Sequence, residues 1–375
     1  MRFLFACGGT AGHVNPAVGV AGRLKELYPD SEFLFIGAEG KMETELVPRE
    51  GYEIRTIPIS NLSRSLSAEG IHQNIQAMKD LLRSIPAAKR ILKEFQPDVV
   101  VGTGGYVCYP VLTAASRLGI PTAVHESNAE PGLTTKMLEN SVDKILVGFE
   151  EARANYRHPD KVFVTGTPVR PGFYRSDKLL ARRELGIDPE EPLVVSVWGS
   201  LGATEMNKTV GAMIGLAMKD KPFHLVHSAG KRGIKSMTKH MRETLGLSGW
   251  DEAGFEVKDY IYDMPRLMAA ADVVLCRSGA STLAELTALG KPAVLVPSPN
   301  VVHNHQEKNA RVLERAGGAR VLLERDASAE NMLSALCEML NQRNQLENMG
   351  DRMRALSVED AAGQIADIVL SLANG

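Results

Sequence analysis

Two segments of this chain occur twice, and the copies follow one another at nearly the same separation. DVVVGTGGYVCYPVLTAASRLGIPTAV at 98–124 resembles DVVLCRSGASTLAELTALGKPAVL at 272–295, and both have the pattern of strand, glycine-containing loop, helix and strand. GTAG at 9–12 follows an apolar strand, as GSLG at 199–202 follows the apolar run 193–198. Apolar runs alternate with amphipathic stretches between these copies, which is typical of βαβ units. The sequence therefore predicts an α/β fold with two Rossmann-like, doubly wound domains in tandem.

The length of 375 residues also favours two domains over a single core. The boundary is expected between 166 and 192, where four prolines surround the charged run 179–184. We predict an N-terminal domain at 1–165, a C-terminal domain at 166–343, and a helical tail at 344–375 that packs back on the first domain. Doubly wound domains bind ligands at the loop ends of their strands, so a ligand is expected in a cleft where the two sets of loops face each other.

Charge and cysteine content exclude several classes of protein. The chain has 43 basic and 45 acidic residues, and a net charge of -2 gives no reason to expect nucleic acid as a partner. The four cysteines lack CxxC spacing, which indicates a reducing cytosol rather than a disulfide framework or a zinc site. The apolar start is too short for a signal peptide, and no run approaches the length of a membrane span.

The loop ACGGTAGHVNP at 6–16 has almost no side-chain bulk. It joins a β-prone run at 2–7 to a helical pattern that we expect to open at Pro16. The first amides of a helix lack internal partners, and glycines allow them to approach a phosphate closely. The sequence thus predicts phosphate or diphosphate contact here, with an ordinary tight turn as the alternative.

Seven motifs appear in the order found in one enzyme family. They are GGTAGHVNPA at 8–17, GTGGYVCYP at 102–110, HESNAEPG at 125–132, GTPVRP at 166–171, GSLGA at 199–203, RSGASTLAEL at 277–286 and NHQEKNA at 304–310. With these motifs the chain resembles the MurG family, the UDP-N-acetylglucosamine (UDP-GlcNAc) transferases that convert lipid I into lipid II in peptidoglycan synthesis. The resemblance covers residues 1 to about 320 and most of the tail.

This resemblance implies a GT-B fold that binds UDP-GlcNAc mainly in the C-terminal domain and the lipid-linked diphosphate acceptor mainly in the N-terminal one. It implies a β(1→4) bond formed at the C4 hydroxyl of MurNAc, with inversion at the anomeric carbon and no cofactor. The family's donor-site positions fall here on Thr10, Ala11, Gly12, Asn128, Arg170, Ser200, Ile261, Ala280, Ser281, Thr282, Leu283, Ala284, Glu285 and Gln306.

The residues themselves agree with part of this donor site. SGAST at 278–282 lies between a strand and a helix, so its amides suit a diphosphate. Glu285 suits the two ribose hydroxyls, and a surface charge near a helix start is its alternative role. Arg170 suits a phosphate or is simply solvated. Gln306 suits sugar hydroxyls and an N-acetyl group, or caps a helix.

Transfer also requires an acceptor for the proton of the attacking hydroxyl. His13 is our candidate catalytic base because histidine can take a proton at cytosolic pH, although it also suits acceptor binding or helix capping. Glu126 is a second candidate base, and His125 is expected to be structural or to bind the acceptor. The resemblance places the loop with Gly104, Gly105 and Tyr106 near the lipid acceptor. A packed aromatic is the alternative role for the tyrosine.

No Asp-x-Asp pair occurs in the sequence, so we expect chemistry without a metal ion. The helix amides at 278–282, Ser200 and Arg170 are expected to offset the charge that grows on UDP. Leu201 stands where many relatives have glutamine, and a leucine side chain cannot donate the hydrogen bond that glutamine could. Backbone contacts at Ser200 and Gly202 are unaffected.

Residues 60–93 combine six basic side chains, against two acidic ones, with apolar residues at helical spacing. Such a surface can lie on an anionic membrane, although most apolar stripes are core faces. The resemblance implies a peripheral protein on the cytoplasmic face of the membrane, with the cell-wall synthesis machinery as a further partner.

Other functions share part of this pattern. A UDP-GlcNAc 2-epimerase or another glycolipid glycosyltransferase would share both glycine loops, and a UDP-sugar sensor would lack turnover. The motifs HESN and NHQEKNA and the basic stripe argue against the epimerase. A dehydrogenase is disfavoured because GGTAGH lacks the spacing of the dinucleotide fingerprint.

Overall fold

The computed structural model describes residues 1–60, 67–170, 172–199, 202–301 and 304–375. The chain forms two compact units, one made of Met1–Val169 with Val358–Gly375 and the other of Arg170–Ser357. Each unit contains one parallel sheet with helices on both faces. The predicted α/β class, with two Rossmann-like sheets, is confirmed.

The first unit has seven parallel strands in the order β3-β2-β1-β4-β5-β6-β7. The strands are β1 (Arg2–Cys7), β2 (Glu32–Ala38), β3 (Glu53–Ile57), β4 (Val99–Gly104), β5 (Thr122–Glu126), β6 (Lys144–Val147) and β7 (Val162–Val164). The helices are α1 (Ala11–Leu27), α2 (Glu43–Arg49), α3 (Ala68–Phe95), α4 (Cys108–Arg117), α5 (Leu133–Leu138) and, from the far end of the chain, α15 (Ala361–Ala373), with 3-10 turns at Glu150–Asn155 and Pro159–Lys161.

The second unit has six parallel strands in the order β10-β9-β8-β11-β12-β13. The strands are β8 (Leu193–Val197), β9 (His224–Ser228), β10 (Phe255–Lys258), β11 (Val273–Cys276), β12 (Ala293–Leu295) and β13 (Ala319–Val321). The helices are α6 (Gly172–Arg175), α7 (Lys178–Leu185), α8 (Thr204–Ala217), α9 (Ile234–Glu243), α10 (Met264–Ala270), α11 (Ala280–Leu289), α12 (His305–Arg315), α13 (Ala329–Leu340) and α14 (Arg343–Ala355), with 3-10 turns at Trp250–Ala253 and Glu324–Asp326.

The central strands are apolar throughout because helices cover both of their faces. Residues Phe3 to Cys7 of β1 are all buried, and Phe3 and Phe5 stack on Phe33 and Phe35 of β2. Alternate residues of β1 belong to different apolar clusters, one on each face of the sheet. This double burial fixes the register of the strands that position the loops at their carboxyl ends.

The helical tail expected at 344–375 is divided between the two units. Helix α14 belongs to the second unit, where Met353 is fully buried and Gly350 lies against the backbone of Gly290. Helix α15 belongs to the first unit, where Ile365 and Val369 are buried in the cluster that contains α1. Only the second half of the predicted tail therefore packs on the first unit.

The charged run at 179–184 is an integral part of the second unit rather than a solvated connection. Arg182 in α7 is fully buried and donates to the backbone oxygens of Ala270, Asp188, Pro189 and Glu191. It also pairs with the Asp272 carboxylate at 2.6 Å. Pro171, one of the four prolines used to place the boundary, lies outside the described residues.

Candidate active site

The strand order reverses at one place in each sheet, between β1 and β4 in the first unit and between β8 and β11 in the second. Ligands of doubly wound folds bind beyond the carboxyl ends of the strands at such a switch point. The loops that follow these four strands are the segments that occur twice in the sequence. The sequence repeat therefore marks the switch point of both sheets.

In the first unit, the glycine loop leads into a helix that begins earlier than predicted. Helix α1 starts at Ala11, so Pro16 lies inside it and does not open it. Thr10 is the N-cap in an extended conformation, and its side chain makes no capping hydrogen bond. Ala11, Gly12 and His13 form the first turn, where backbone N–H groups and the helix dipole favour an anion.

The loops after β1 and β4 touch through their backbones. Gly8 N donates to Gly104 O at 3.2 Å. A Cβ on Gly105, where φ is +88°, would lie 2.3 Å from the carbonyl oxygen of Gly8. A Cβ on Gly104 would lie 2.4 Å from the His13 ring. Glycine is therefore required at both positions for the two loops to pack against the histidine.

The His13 ring is held in one orientation. Its Nδ1 lies 2.8 Å from Gly8 O, and Thr103 Oγ1 donates to the His13 carbonyl at 2.7 Å. A carbonyl can only accept, so Nδ1 carries the hydrogen and Nε2 of the neutral ring keeps a lone pair. Among the described residues Nε2 has no hydrogen-bond partner, and the side chain is partly exposed. This tautomer can accept a proton from a bound hydroxyl.

Sequence reasoning missed Glu43, which lies beneath the first glycine loop. Its side chain is fully buried, Oε2 accepts from Gly9 N at 2.9 Å, and Oε1 accepts from Ala38 N at 2.9 Å. The residue is remote from the loop in sequence and reaches it only because β2 lies beside β1. No local pattern marks it, and the only signal is an acidic residue placed soon after a strand end.

The predicted base Glu126 is a structural clamp. Oε1 accepts from Asn128 N and Nδ2 at 3.0 and 2.9 Å, and Oε2 accepts from Gly132 N and Thr135 Oγ1 at 2.8 and 3.0 Å. The carboxylate is buried and both of its oxygens are occupied, so it is not placed to take a proton from a ligand. It orders the segment that carries Asn128.

His125 is also engaged within the protein. Its Nε2 lies 2.9 Å from Gly166 O, its Nδ1 lies 3.3 Å from Ser127 Oγ, and burial lowers the pKa of the ring. Both ring nitrogens therefore have partners within the protein, and acceptor binding by this residue stays a prediction. Tyr106 lies in the turn before α4, partly exposed, on the loop that packs against Gly8.

In the second unit, helix α11 begins directly after the loop at 277–279. Its N-cap is Gly279, where an added Cβ would meet open space. Ala280, Ser281 and Thr282 form the first turn, followed by the buried Leu283 and the partly exposed Ala284. The approach to this helix start is thus free of side-chain bulk.

Gln306 closes the loop beside α11. The Ser278 hydroxyl donates to Gln306 O at 2.8 Å, and Gln306 Oε1 accepts from Ser298 N at 2.9 Å. The amide oxygen keeps one lone pair and the Nε2 hydrogens remain, so this side chain can both donate to and accept from a ligand.

Glu285 lies one turn into α11. Burial raises its pKa to about 7, and the positive charge of Arg170 acts in the opposite direction. No hydrogen bond of its carboxyl group is recorded among the described residues. Arg170 itself is exposed, with its guanidinium 5.5 Å from the centre of the Phe173 ring. A desolvated carboxyl group beside a helix start is suited to accept from ligand hydroxyls.

Two predicted donor residues, Ile261 and Ser200, remain. Ile261 is buried in the segment between β10 and α10. Ser200 and Leu201 lie outside the described residues. Gly199 and Gly202 flank them with φ values of +83° and +73°, and a Cβ on Gly202 would lie 2.3 Å from the carbonyl oxygen of Ala229.

The predicted membrane-facing stripe lies on α3, apart from Arg64, which is outside the described residues. Lys79, Arg83 and Lys89 are exposed on this helix, and Ile75 is 51% exposed. Ile85 packs on the core. Towards the carboxyl end of α3, the apolar residues of the stripe therefore face the core. No helix within the described ranges is both long and apolar enough to cross a membrane, and no cluster of metal-binding side chains occurs in those ranges.

The chain matches one glycosyltransferase family along most of its length. The glycosyltransferase family 28 N-terminal domain matches residues 3–147, and the family 28 C-terminal domain matches residues 193–365. A UDP-N-acetylglucosamine–N-acetylmuramyl-(pentapeptide) pyrophosphoryl-undecaprenol N-acetylglucosamine transferase of Acetivibrio thermocellus is 40% identical, covering 98% of this chain and 97% of the relative. The transferase of the same name from a Thermoanaerobacter species is 41% identical, covering 99% and 100%. The crystal structure of MurG from Acinetobacter baumannii has a TM-score of 0.75 and 26% identity, covering 99% of each chain.

Proposed function

This chain belongs to the MurG family within glycosyltransferase family 28, and we propose that it transfers GlcNAc from UDP-GlcNAc to the C4 hydroxyl of MurNAc in lipid I. The product is lipid II, the precursor of peptidoglycan. The observation that carries the proposal is the identity of about 40% over nearly the whole length of transferases with this activity.

The donor is bound mainly by the second unit. The first turn of α11, at Ala280 to Thr282, faces the UDP diphosphate, and Glu285 accepts from the ribose hydroxyls. Gln306 donates from Nε2 to the sugar, while its oxygen accepts from Ser298 N and so holds the side chain in place. The remaining donor contacts are Thr10, Ala11, Gly12, Asn128, Arg170, Ser200, Ile261, Leu283 and Ala284.

His13 is the catalytic base. Its Nε2 takes the proton of the MurNAc hydroxyl while the oxygen bonds to the anomeric carbon on the face opposite to UDP. The bond to the β-phosphate oxygen breaks, its electron pair leaves with UDP, and the configuration inverts. The amides of α11 and the cation of Arg170 stabilise the charge on the leaving group without a metal ion.

The acceptor is bound by the first unit. Gly104 and Gly105 offer backbone close to His13, and Tyr106 contacts the acceptor from the same loop. His125 and Glu126 contribute through the segment that they order, since their polar atoms are already occupied within the protein.

The protein binds the cytoplasmic face of the membrane peripherally through α3. Exposed basic residues attract anionic lipid headgroups, at about 1 kcal/mol each near the surface. Sedimentation with vesicles containing phosphatidylglycerol, compared with neutral vesicles, tests this part. Equal binding to both vesicle types would contradict it.

Purified protein should convert UDP-GlcNAc and a short-chain lipid I analogue into the lipid II analogue, with and without EDTA. UDP-glucose and UDP-GalNAc serve as donor controls, and equal use of all three donors would contradict the donor assignment. His13→Ala should abolish most of the turnover, whereas near-normal turnover would remove this residue as the base.

A further inference from the structure

The peptide group between Gly8 and Gly9 is hydrogen-bonded by a side chain at each end. Its N–H donates to Glu43 Oε2 at 2.9 Å, and its carbonyl oxygen accepts from His13 Nδ1 at 2.8 Å. The N–H and C=O of one peptide group lie in a plane and point in opposite directions when the bond is trans, as it is here. A carboxylate, an amide and an imidazole therefore form one continuous hydrogen-bonded chain.

The surroundings of Glu43 are shaped to hold its carboxylate. A Cβ on Gly8 would lie 2.4 Å from Oε1, and a Cβ on Gly37 would lie 2.5 Å from Cγ of the same side chain. The side chain is fully buried, and each of its oxygens accepts from a backbone N–H. Two glycines thus provide the space, and two amides hold the carboxylate in place.

A hydrogen bond to an anion polarises the amide that donates it. The carbonyl oxygen at the other end of the same amide becomes more negative and a stronger acceptor. A stronger acceptor at Nδ1–H stabilises a positive charge on the imidazole ring and so increases the proton affinity of Nε2. In hydrolases with a Ser-His-Asp triad, a carboxylate bound directly to the histidine has this effect.

We propose that Glu43 is a positioning residue that acts on His13 through the Gly8–Gly9 peptide, fixing the Nδ1–H tautomer and stabilising the imidazolium that forms during transfer. The catalytic consequence rests on the function proposed above. In that reaction the acceptor hydroxyl gives its proton to Nε2 while its oxygen forms the glycosidic bond and UDP leaves with the electron pair. Glu43 itself gains no proton.

Two thiols that feel the charge of Glu43 stay neutral. The charge of Glu43 acts on the thiols of Cys7 and Cys108, and burial raises the pKa of Cys7 well above its ordinary value and that of Cys108 to about 12. Within the described residues, His13 forms no ion pair, and the hydrogen bond of its ring runs from Nδ1 to Gly8 O at 2.8 Å. Glu43 is thus the anion connected to this ring by hydrogen bonds.

The first test needs neither substrate nor turnover. NMR of protein with isotope-labelled histidine reports the tautomer and protonation of each ring, and His13→Ala identifies the His13 signal. We expect the Nδ1–H tautomer in the unmodified protein, and protonation of His13 at a lower pH in Glu43→Gln. An Nε2–H tautomer, or an unchanged titration in folded Glu43→Gln, overturns the proposal.

Two further variants distinguish the effect of the hydrogen-bonded connection from the effects of losing a charge and of misfolding. Glu139→Gln is the matched control, since Glu139 is also buried in the first unit and accepts from the backbone N–H groups of Arg157 and His158. Glu43→Asp keeps the charge but shortens the side chain, so it should shift the titration in the same direction as Glu43→Gln. Glu43→Asp also serves as the test variant if Glu43→Gln does not fold. If His13 titrates in Glu43→Asp as it does in the parent protein, the result argues against the peptide connection.

The second test is kinetic. Glu43→Gln should lower kcat by roughly tenfold or more, with little change in the KM for UDP-GlcNAc, and move the acidic limb of the kcat–pH profile to lower pH. Combined with His13→Ala it should add no further loss, because it acts through that ring. Independent losses in the double variant, or an equal loss in Glu139→Gln, would overturn the proposal. Absence of any GlcNAc transfer by the parent enzyme would instead reject the proposed function and leave the NMR result standing.

Discussion

The Glu285 carboxyl group, which we propose binds the donor, has an unusual environment. Burial raises its pKa to about 7, against an ordinary value of 4.5, and it lies one turn into the helix at the switch point of the second sheet. Its protonation therefore changes near neutral pH. In the donor site proposed above, the ribose hydroxyls donate to this carboxyl group, and its ionised form accepts better.

Donor binding should therefore weaken as the pH falls through 7. We expect the Kd of UDP-GlcNAc to rise by up to about tenfold from pH 8 to pH 6, since one pH unit below the pKa leaves about a tenth of the group ionised. Calorimetry with UDP-GlcNAc, whose diphosphate does not titrate in this range, measures the effect. The Glu285→Gln variant should bind UDP-GlcNAc weakly, with a Kd that does not depend on pH. A Kd that is also independent of pH in the parent protein would contradict the assignment.

The same group gives a second, ligand-free result. The folded state keeps a proton that the unfolded state releases between about pH 4.5 and 7, so the stability contributed by Glu285 falls as the pH rises across that range. Glu285→Gln should therefore raise the melting temperature at pH 8 more than at pH 5. Glu338→Gln, at an exposed site of the same unit, is the control and should show no such gain.

Glu43 and Glu126 show why single residues are hard to assign from sequence. Glu126 stands in a motif and next to a histidine, which favoured catalysis, but four hydrogen bonds within its own segment occupy it. Glu43 stands in no motif, and its importance depends on a contact that only strand pairing creates. Residue type and spacing identify backbone loops well, whereas the role of a carboxylate depends on what surrounds it.

At the scale of elements, α7 shows how one arginine can attach a connecting segment to a domain. Arg182 holds the carbonyl groups of the residues that follow α7 and pairs with Asp272 at the start of β11. The sequence predicted a charged, proline-bounded connection because charged side chains are usually solvated. Burial of the guanidinium became favourable because five acceptors surround it.

Arg182→Ala should lower the free energy of unfolding by about 3 to 5 kcal/mol, because it leaves Asp272 and several carbonyl groups without their donor. Arg183→Ala is the matched control, because Arg183 is next to Arg182 but its side chain is exposed. It should change the free energy of unfolding by about 0.5 kcal/mol or less. Urea unfolding measures the free energy of unfolding of both variants and of the parent protein. Equal stabilities would show that the hydrogen bonds of Arg182 contribute little.

The contact between the loops after β1 and β4 gives a prediction about activity. Gly105→Ala places a methyl group against the Gly8 carbonyl, which also holds the His13 ring, so we expect at least about a tenfold loss of kcat. Gly119→Ala is the control, because φ is +71° there but a Cβ meets nothing within 4 Å. That change should cost about 1 to 2 kcal/mol of stability and leave kcat unchanged. Similar kcat values for both variants would show that the contact between the two loops does not contribute to catalysis.

The early start of α1 has a similar origin. Proline often stands in the first turn of a helix, so Pro16 was a reasonable opening residue. The structure begins the helix at Ala11, which places His13 in the first turn. Glycine-rich sequence alone does not predict helix there, because glycine disfavours helix and only the strand–loop packing fixes the start.

At the scale of the whole molecule, the sequence predicted the architecture more reliably than the site. The repeated strand–loop–helix segments gave both the duplicated α/β fold and the loops at each switch point, because both follow from short-range patterns. The division of residues 344–375 between the two units could not be predicted in this way. Both α14 and α15 are amphipathic, and the sequence does not say which apolar surface each one covers.

Removing the apolar contact of α15 should destabilise the first unit. Ile365→Ala leaves a cavity in the core shared with α1, and we expect a loss of about 2 to 5 kcal/mol in the free energy of unfolding. Asp367→Ala, on the exposed side of the same helix, should change it by about 0.5 kcal/mol or less. Hydrogen exchange should place the loss of protection from Ile365→Ala in the first unit, and equal effects of both variants would contradict this placement.

The return of α15 to the first unit also bears on biosynthesis. Residues 1–169 leave the ribosome first, yet the part of α1 that packs on α15 stays uncovered until residues 358–375 have been translated. At about 5 to 20 residues per second, the intervening unit takes roughly ten to forty seconds to make. During that interval the nascent first unit exposes the apolar surface that α15 later covers, and such exposed surface favours aggregation.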